Sequence, residues 1–234
     1  MLTIASYNIR KSVGLDWQRD PQRIHAVIAE LDADIVLLQE VDKRFGSRQG
    51  TLCKHTLFTD LHYHFADIAT HPNSHGWHGN VILYRPPLKL LDCQRVNIPS
   101  VEPRGAIMAL FGLSNNSVLQ VVGTHLSLLK RMRQRQIASI LHQIRQARHD
   151  YIVIGGDFNE AKADKWFINN PLLTDYRLIT PGPSFHTAKP LRALDRFIVG
   201  RNISVRGSLV HRSPQTRKAS DHLPIMIKLE LPLC

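Results

Sequence analysis

The chain is 234 residues long and carries 30 Lys and Arg against 19 Asp and Glu, a net charge of +11. With 43 % apolar and 21 % charged residues it has the composition of an ordinary soluble globular protein, and no apolar stretch is long enough to predict a transmembrane helix. Three scattered cysteines, Cys53, Cys93 and Cys234, argue against a disulfide framework or a zinc knuckle, and the excess of positive charge points to an anionic partner: nucleic acid, lipid headgroup or phosphorylated small molecule.

The chain starts directly on a strand-like run, Leu2–Tyr7, without the basic, apolar and small-residue regions of a signal peptide, so a cytoplasmic location is expected. Asp20-Pro21 reads as an N-cap followed by proline at the first helical position. Ile24, Val27, Ile28 and Leu31 then share one helical face. A second strand is predicted at Ile35–Leu38. The segment Asp42–Gly79 is irregular and holds six histidines without a zinc spacing, which predicts a histidine-rich surface loop. Further strands are predicted at Val81–Tyr84, Ala106–Phe111 and Val118–Val122. A second helix covers roughly Leu128–Arg148, with Met132, Ile137, Ile140, Leu141 and Ile144 inward. Its other side carries Lys130, Arg131, Arg133, Arg135, Arg145 and Arg148, either a solvated face or a contact for phosphate backbone or anionic membrane. Strands follow at Tyr151–Ile154, Arg196–Val199 and Ile225–Leu231. Strands dominate and helices interrupt them, which predicts an α/β sandwich of mixed sheets packed face to face with helices outside.

Polar residues terminate these apolar runs. They are Asn8, Glu40, His125, Asp157 with Asn159, Asp195, and Asp221 with His222. Any one alone reads as a turn residue or cap; together they occupy one type of position, where packed sheets build sites from their loops. Carboxylates and amides without a thiol suit a hard cation such as Mg²⁺ or Mn²⁺. Two histidines and spare acids can bind phosphate, activate water and protonate a leaving oxygen. The chain has neither a GxSxG elbow nor a GxxxxGK[ST] phosphate loop. Metal-assisted hydrolysis of a phosphoester remains.

The ordered motifs Ser6-Tyr-Asn8, Leu38-Gln-Glu40, Gly79-Asn80, Thr124-His125-Leu126, Gly156-Asp157-Phe-Asn159, Leu194-Asp195 and Ser220-Asp221-His222 run from residue 6 to residue 222. Their order resembles the endonuclease/exonuclease/phosphatase superfamily, the group of deoxyribonuclease I and exonuclease III. The resemblance implies a single domain over 1–234, a four-layered α/β sandwich, and Mg²⁺-dependent cleavage of a phosphodiester or phosphomonoester. It implies Glu40 as principal metal ligand, with Asn8 and Asp221 near it. Asp157 would orient or deprotonate the attacking water with help from Asn159. His222 would contact the scissile phosphate, with Asp195 fixing its tautomer. His125 would be a second phosphate-side or acid histidine, Asn80 its polar partner, and Arg104 a phosphate-binding guanidinium. Trp77, Trp166, Phe167 and Phe185 are available for stacking on a base. The motifs report chemistry and not substrate. Nuclease action is preferred on charge. Phospholipid or inositol-phosphate hydrolysis is the alternative, and a silent nucleic-acid-binding protein the least favoured. A monomer without a protein partner is expected.

Overall fold

A computed structural model describes all residues except 44, 45, 47, 70, 114, 115, 148, 162–166, 168, 169 and 232–234. Arg148, Trp166 and Cys234, singled out above, therefore lie outside the described residues. In chain order the elements are β1 (Leu2–Asn8), α1 (Pro21–Leu31), β2 (Ile35–Gln39), α2 (Lys54–Thr59), β3 (His64–Phe65), β4 (Val81–Tyr84), β5 (Lys89–Val96), β6 (Gly105–Gly112), β7 (Val118–His125), α3 (Lys130–Ala147), β8 (Tyr151–Asp157), β9 (Tyr176–Ile179), β10 (Asp195–Gly200), β11 (Ser204–Val210) and β12 (Ile225–Glu230). They form two six-stranded sheets, ordered β11-β12-β1-β2-β4-β3 and β5-β6-β7-β8-β10-β9.

Successive strand residues point to opposite faces, and both faces of the central strands are apolar. Ile4, Leu37, Val121, Val153 and Ile227 face inward and form the seam between the sheets. Their neighbours Ala5 and Leu38 pack outward under α1, with Ile24, Val27, Ile28 and Leu31. Val122 and Ile154 pack outward under α3, with Ile137, Ile140, Leu141 and Ile144. Three apolar seams separate four layers, helix–sheet–sheet–helix, as expected.

Helix α1 begins as its cap predicts, with the Asp20 side chain accepting from the Gln22 N–H at 3.0 Å. It ends at Asp32, in the left-handed conformation with φ 44°. The helix α1 links the parallel pair β1–β2, and α3 links the parallel pair β7–β8. A parallel pair needs such a crossover, and the helix must lie on the outer face. The site follows from this topology. The parallel strands end at one edge, at Asn8, Gln39, His125 and Asp157. The antiparallel strands β10 and β12 begin at that same edge, with Asp195 paired opposite Asp157 and Ile225 opposite Ser6.

The two glycines before Asp157 are needed for close approach. A Cβ on Gly155 would lie 2.6 Å from the Phe197 ring and 2.8 Å from Leu37 in the inter-sheet seam. Gly156 has φ +154°, and a Cβ there would lie 1.8 Å from the Thr124 carbonyl oxygen.

Two expectations need correction. Arg133 is not on a solvated basic face: it is buried, donates to the Ser127 and Leu128 carbonyls, and pairs with Glu160 at 2.7 Å. The histidine-rich segment is also more than a surface loop. It contains α2 and β3, and its His75 is buried against the Leu52 carbonyl at 2.8 Å.

Candidate active site

Asp157, at the end of β8, is 1 % exposed and forms the hub of the site. Its Oδ1 accepts from the Asn159 N–H at 2.9 Å. Three groups converge on its Oδ2. Asn8 Nδ2 donates at 3.1 Å, His125 Nε2 lies at 3.3 Å, and His222 Nε2 lies at 3.6 Å. They come from β1, β7 and the turn before β12, so both sheets contribute. The other ring nitrogen of His222, Nδ1, lies 2.9 Å from Asp195 Oδ2. That oxygen also accepts from Ser184 Oγ. Phe185 packs on the His222 ring, with centroids 4.9 Å apart.

His222 is thus held between two buried carboxylates. Burial disfavours its charged form, but Asp195 and Asp157 outweigh that and push its pKa up to about 10. Burial likewise opposes ionisation of Asp157. The facing His222 and His125 rings and the Asn159 N–H overcome it and hold the carboxyl below the usual carboxylate range. Asp195 is raised, by burial first, with the Asp157 charge adding to it. One imidazolium cannot fully compensate two buried carboxylates, and Asp195 carries the remainder.

Glu40 lies in a cleft with Lys11, His78, Arg104 and His125. It has φ +54°, and the Lys11 ammonium sits on its Oε2. Asp221 faces the Arg10 guanidinium at 3.5 Å. Arg104 is 7 % exposed and places Nη1 against both His125 ring nitrogens, 2.8 Å from Nδ1. Glu102 holds Arg104 at Nε, at 3.1 Å, and also accepts from Ser127 Oγ at 2.6 Å.

Asn8, His125, Asp157, Asp195, His222 and Arg104 are therefore brought into one connected network, with Glu40 across the same cleft. The Asn159 side chain is engaged elsewhere, donating to the Leu126 carbonyl at 2.8 Å and bracing the strand end after His125. Asn80 lies beneath the site. Its Nδ2 donates to the Trp77 and Gly105 carbonyls, both at 3.2 Å, and Gly105 pairs with His125 across β6 and β7. Ser184, Glu102, Arg10 and Lys11 were not read as site residues, and Phe185, read as a platform for a base, packs on the His222 ring instead. Arg10 and Lys11 follow Asn8 in sequence with only Ile9 between, and that nearness was the one available signal. Ser184 and Glu102 reach their partners only through the fold.

Among the described residues one acid–imidazole group has its ligand atoms close together. Ligand atoms of Asp157, Asp195 and His222 lie within 4.8 Å of one another. The His222 ring, however, is held as a cation between the two acids and has no lone pair to give a metal. The carboxylates of Glu40 and Asp221 each face a cationic side chain in this structure, Lys11 and Arg10.

Fold and site together define a four-layered sandwich with an acid–imidazole centre at one sheet edge. The chain belongs to the Endonuclease/Exonuclease/phosphatase family, which it matches over residues 5–222. It is 26 % identical over 228 residues to YbhP of Escherichia coli K12, an uncharacterized protein, covering 87 % of this chain and 86 % of that one. Among solved structures it is similar to D. rerio TDP2 complexed with a single-strand DNA product, with TM-score 0.75, 18 % identity, and 98 % and 99 % of the two chains covered. It is also similar to a mannosyl-6-phosphatase of Bacteroides thetaiotaomicron, with TM-score 0.72, 17 % identity, and 99 % and 100 % covered. At these identities the solved structures establish the fold. Members of the family hydrolyse phosphoester bonds.

Proposed function

We propose that the protein is a divalent-cation-dependent phosphodiesterase in which Asp157 orients the attacking water. The observation that carries this reading is the convergence of Asn8, His125 and His222 on a single oxygen of Asp157. A carboxylate so surrounded stays ionised at neutral pH and accepts a hydrogen bond from water in a fixed direction. It is a weak base by itself, so its work is orientation more than proton capture.

His222 remains an imidazolium through neutral pH and offers Nε2–H to a phosphoryl oxygen as charge develops there. Asp195 and Ser184 position the ring from behind. His125 and Arg104 stand on the other side of Asp157 and serve a second phosphate oxygen, with His125 as the group that passes a proton to the leaving oxygen. Asn159 and Asn80 position the backbone around His125, and Asn8 fixes the rotamer of Asp157. Glu40, with Asn8 and Asp221, fits a hard cation, because the donors are carboxylate and amide oxygens without a thiol. Mg²⁺ or Mn²⁺ bound there supplies charge neutralisation at the phosphate and a more acidic water. The net charge of +11 supports a polyanionic substrate, nucleic acid or phospholipid.

The test is turnover of bis(p-nitrophenyl) phosphate and plasmid DNA with Mg²⁺ or Mn²⁺, against excess chelator. Asp157→Ala and His222→Ala are expected to lose on the order of 10²-fold or more in rate. Undiminished turnover in excess chelator, or by Asp157→Ala, would remove the reading.

A further inference from the structure

Five large apolar side chains stand in solvent on the loops around this cleft. Trp17, Val101, Leu128, Leu129 and Leu191 are 77, 71, 63, 56 and 72 % exposed. Each is tied to the site by short links. On one flank, the Arg10 guanidinium that faces Asp221 lies 4.5 Å from the Trp17 ring centroid. Leu191 donates its N–H to the carbonyl of Phe185, the residue packed on His222. On the other flank, Glu102 gathers the rest. It follows Val101, accepts from Ser127 Oγ and the Leu128 N–H, and holds Arg104 against His125. Among the described residues, the other exposed large apolar side chains, Met1, Phe58, Leu91 and Leu209, are scattered over other elements.

A single exposed leucine needs no explanation, but several around one cleft mark an interaction surface. Positive charge accompanies them. Exposed Lys189 and Arg192 flank Leu191, and Leu15, two residues before Trp17, is bonded to the Lys218 carbonyl. The nearby acids are engaged: Asp16 by Arg23 at 2.7 Å, Glu102 by Arg104, and Asp221 by Arg10.

We propose that this rim docks the cleft onto an anionic phospholipid bilayer, so that the phosphodiester presented to Asp157 and His222 is that of a phospholipid headgroup. The second clause rests on the phosphodiesterase reading; the docking does not. Charge alone favoured nucleic acid, but a phosphate backbone in water gives aliphatic side chains nothing to bury against. Nucleic acid would call for aromatic platforms along a basic groove. At a bilayer, leucine and tryptophan enter the headgroup–acyl boundary while lysine and arginine meet lipid phosphates above it. Among the described residues no helix is long and apolar enough to cross a membrane, and the proposed contact is peripheral.

The experiment is sedimentation with vesicles of equimolar phosphatidylglycerol and phosphatidylcholine, in chelator at about 0.15 M salt. The wild type and His222→Ala are both expected to bind these vesicles, and to bind pure phosphatidylcholine weakly. A variant with Trp17→Gln, Leu128→Gln, Leu129→Gln and Leu191→Gln should bind at least about tenfold more weakly, because affinity scales with buried apolar area. Its melting curve and its turnover of bis(p-nitrophenyl) phosphate should match the wild type; if its melt falls, Trp17→Gln and Leu191→Gln singly serve instead. Wild-type protein that ignores anionic vesicles would overturn the docking. So would rim variants that bind vesicles normally, or that lose duplex DNA binding in place of vesicle binding. Docking without headgroup release when Mg²⁺ is supplied, by protein that turns over bis(p-nitrophenyl) phosphate, would overturn the phospholipid-substrate clause and leave the docking intact; no turnover of either would sink the phosphodiesterase reading.

Discussion

Replacing Asp195 by Asn tests whether His222 works as a charged group. Asp195 is wholly buried and accepts a hydrogen bond from His222 Nδ1–H at 2.9 Å. The carboxylates around His222 raise its pKa from 6.5 to about 10, a displacement worth roughly 5 kcal/mol. Asp195 is the largest of the raising contributors, with Asp157 and Asp221 behind it. Losing roughly half of that displacement costs about 2–3 kcal/mol, or roughly 30- to 150-fold in rate if the imidazolium stabilises the transition state. The sign follows from the raised pKa. The charged ring is fully present at and below neutral pH and is lost as pH rises through about 10. In Asp195→Asn that loss should begin at least about one pH unit lower. The assay is kcat/KM for a soluble phosphodiester from pH 6 to pH 10.5. We expect a deficit of roughly 30- to 150-fold at pH 7.5 and an alkaline limb displaced downward. A variant with normal rate and an unshifted alkaline limb would refute the charged-imidazole argument.

Other outcomes follow from the same geometry. Glu40→Gln should lose activity and also the rise in melting temperature that Mg²⁺ produces in the wild type, since a cation stabilises only the state that binds it; equal protection of both proteins would clear Glu40 of the role. Gly156→Ala puts a methyl group 1.8 Å from the Thr124 carbonyl oxygen in a backbone with φ +154°, and should cost about 3 kcal/mol or more, read as a denaturant midpoint. Burial lowers the pKa of both His25 and His75. Through these two rings the unfolded chain binds more protons, whereas His222, with its raised pKa, adds stability as pH falls to about 6.5; stability should therefore fall as pH drops from 6.5 to 5.5. His25→Gln should flatten that slope, because the Cys53 N–H donates to His25 Nε2 at 3.3 Å and protonation would remove the acceptor. A slope unchanged in His25→Gln would place the acid sensitivity elsewhere.

The family resemblance placed the fold class, and the residues themselves placed the central strands. Leu2–Asn8, Ile35–Gln39, Val118–His125 and Tyr151–Asp157 are buried on both faces and are mostly apolar, which makes them conspicuous in one dimension. The unread strands are β3, β5, β9 and β11, the four edge strands of the two sheets. An edge strand faces solvent and needs no apolar run; Lys89–Val96 and Ser204–Val210 are mostly exposed or half-exposed, so nothing in their composition separates them from loops. Helix α3 shows the same limit on a finer scale. Its period identified the core face, but Arg133 turned inward because Glu160, twenty-seven residues away, waits there to pair with it.

The site divides along similar lines. Its chemistry was legible because each reactive group terminates a strand, and a strand end carries local signals such as Gly155-Gly156 before Asp157. What the tertiary structure decided is the division of labour. It committed Asn159 to Leu126 and Asn80 to Trp77 and Gly105, and set Lys11 against Glu40. It brought Ser184 behind Asp195 and Glu102 behind Arg104. It also gathered Trp17, Leu128 and Leu191 around one cleft, although they are far apart in the chain. A sequence determines which side chains must be buried and where a strand stops. Which side chains then meet depends on sheet order and on the face each loop falls across, and those are properties of the packed whole.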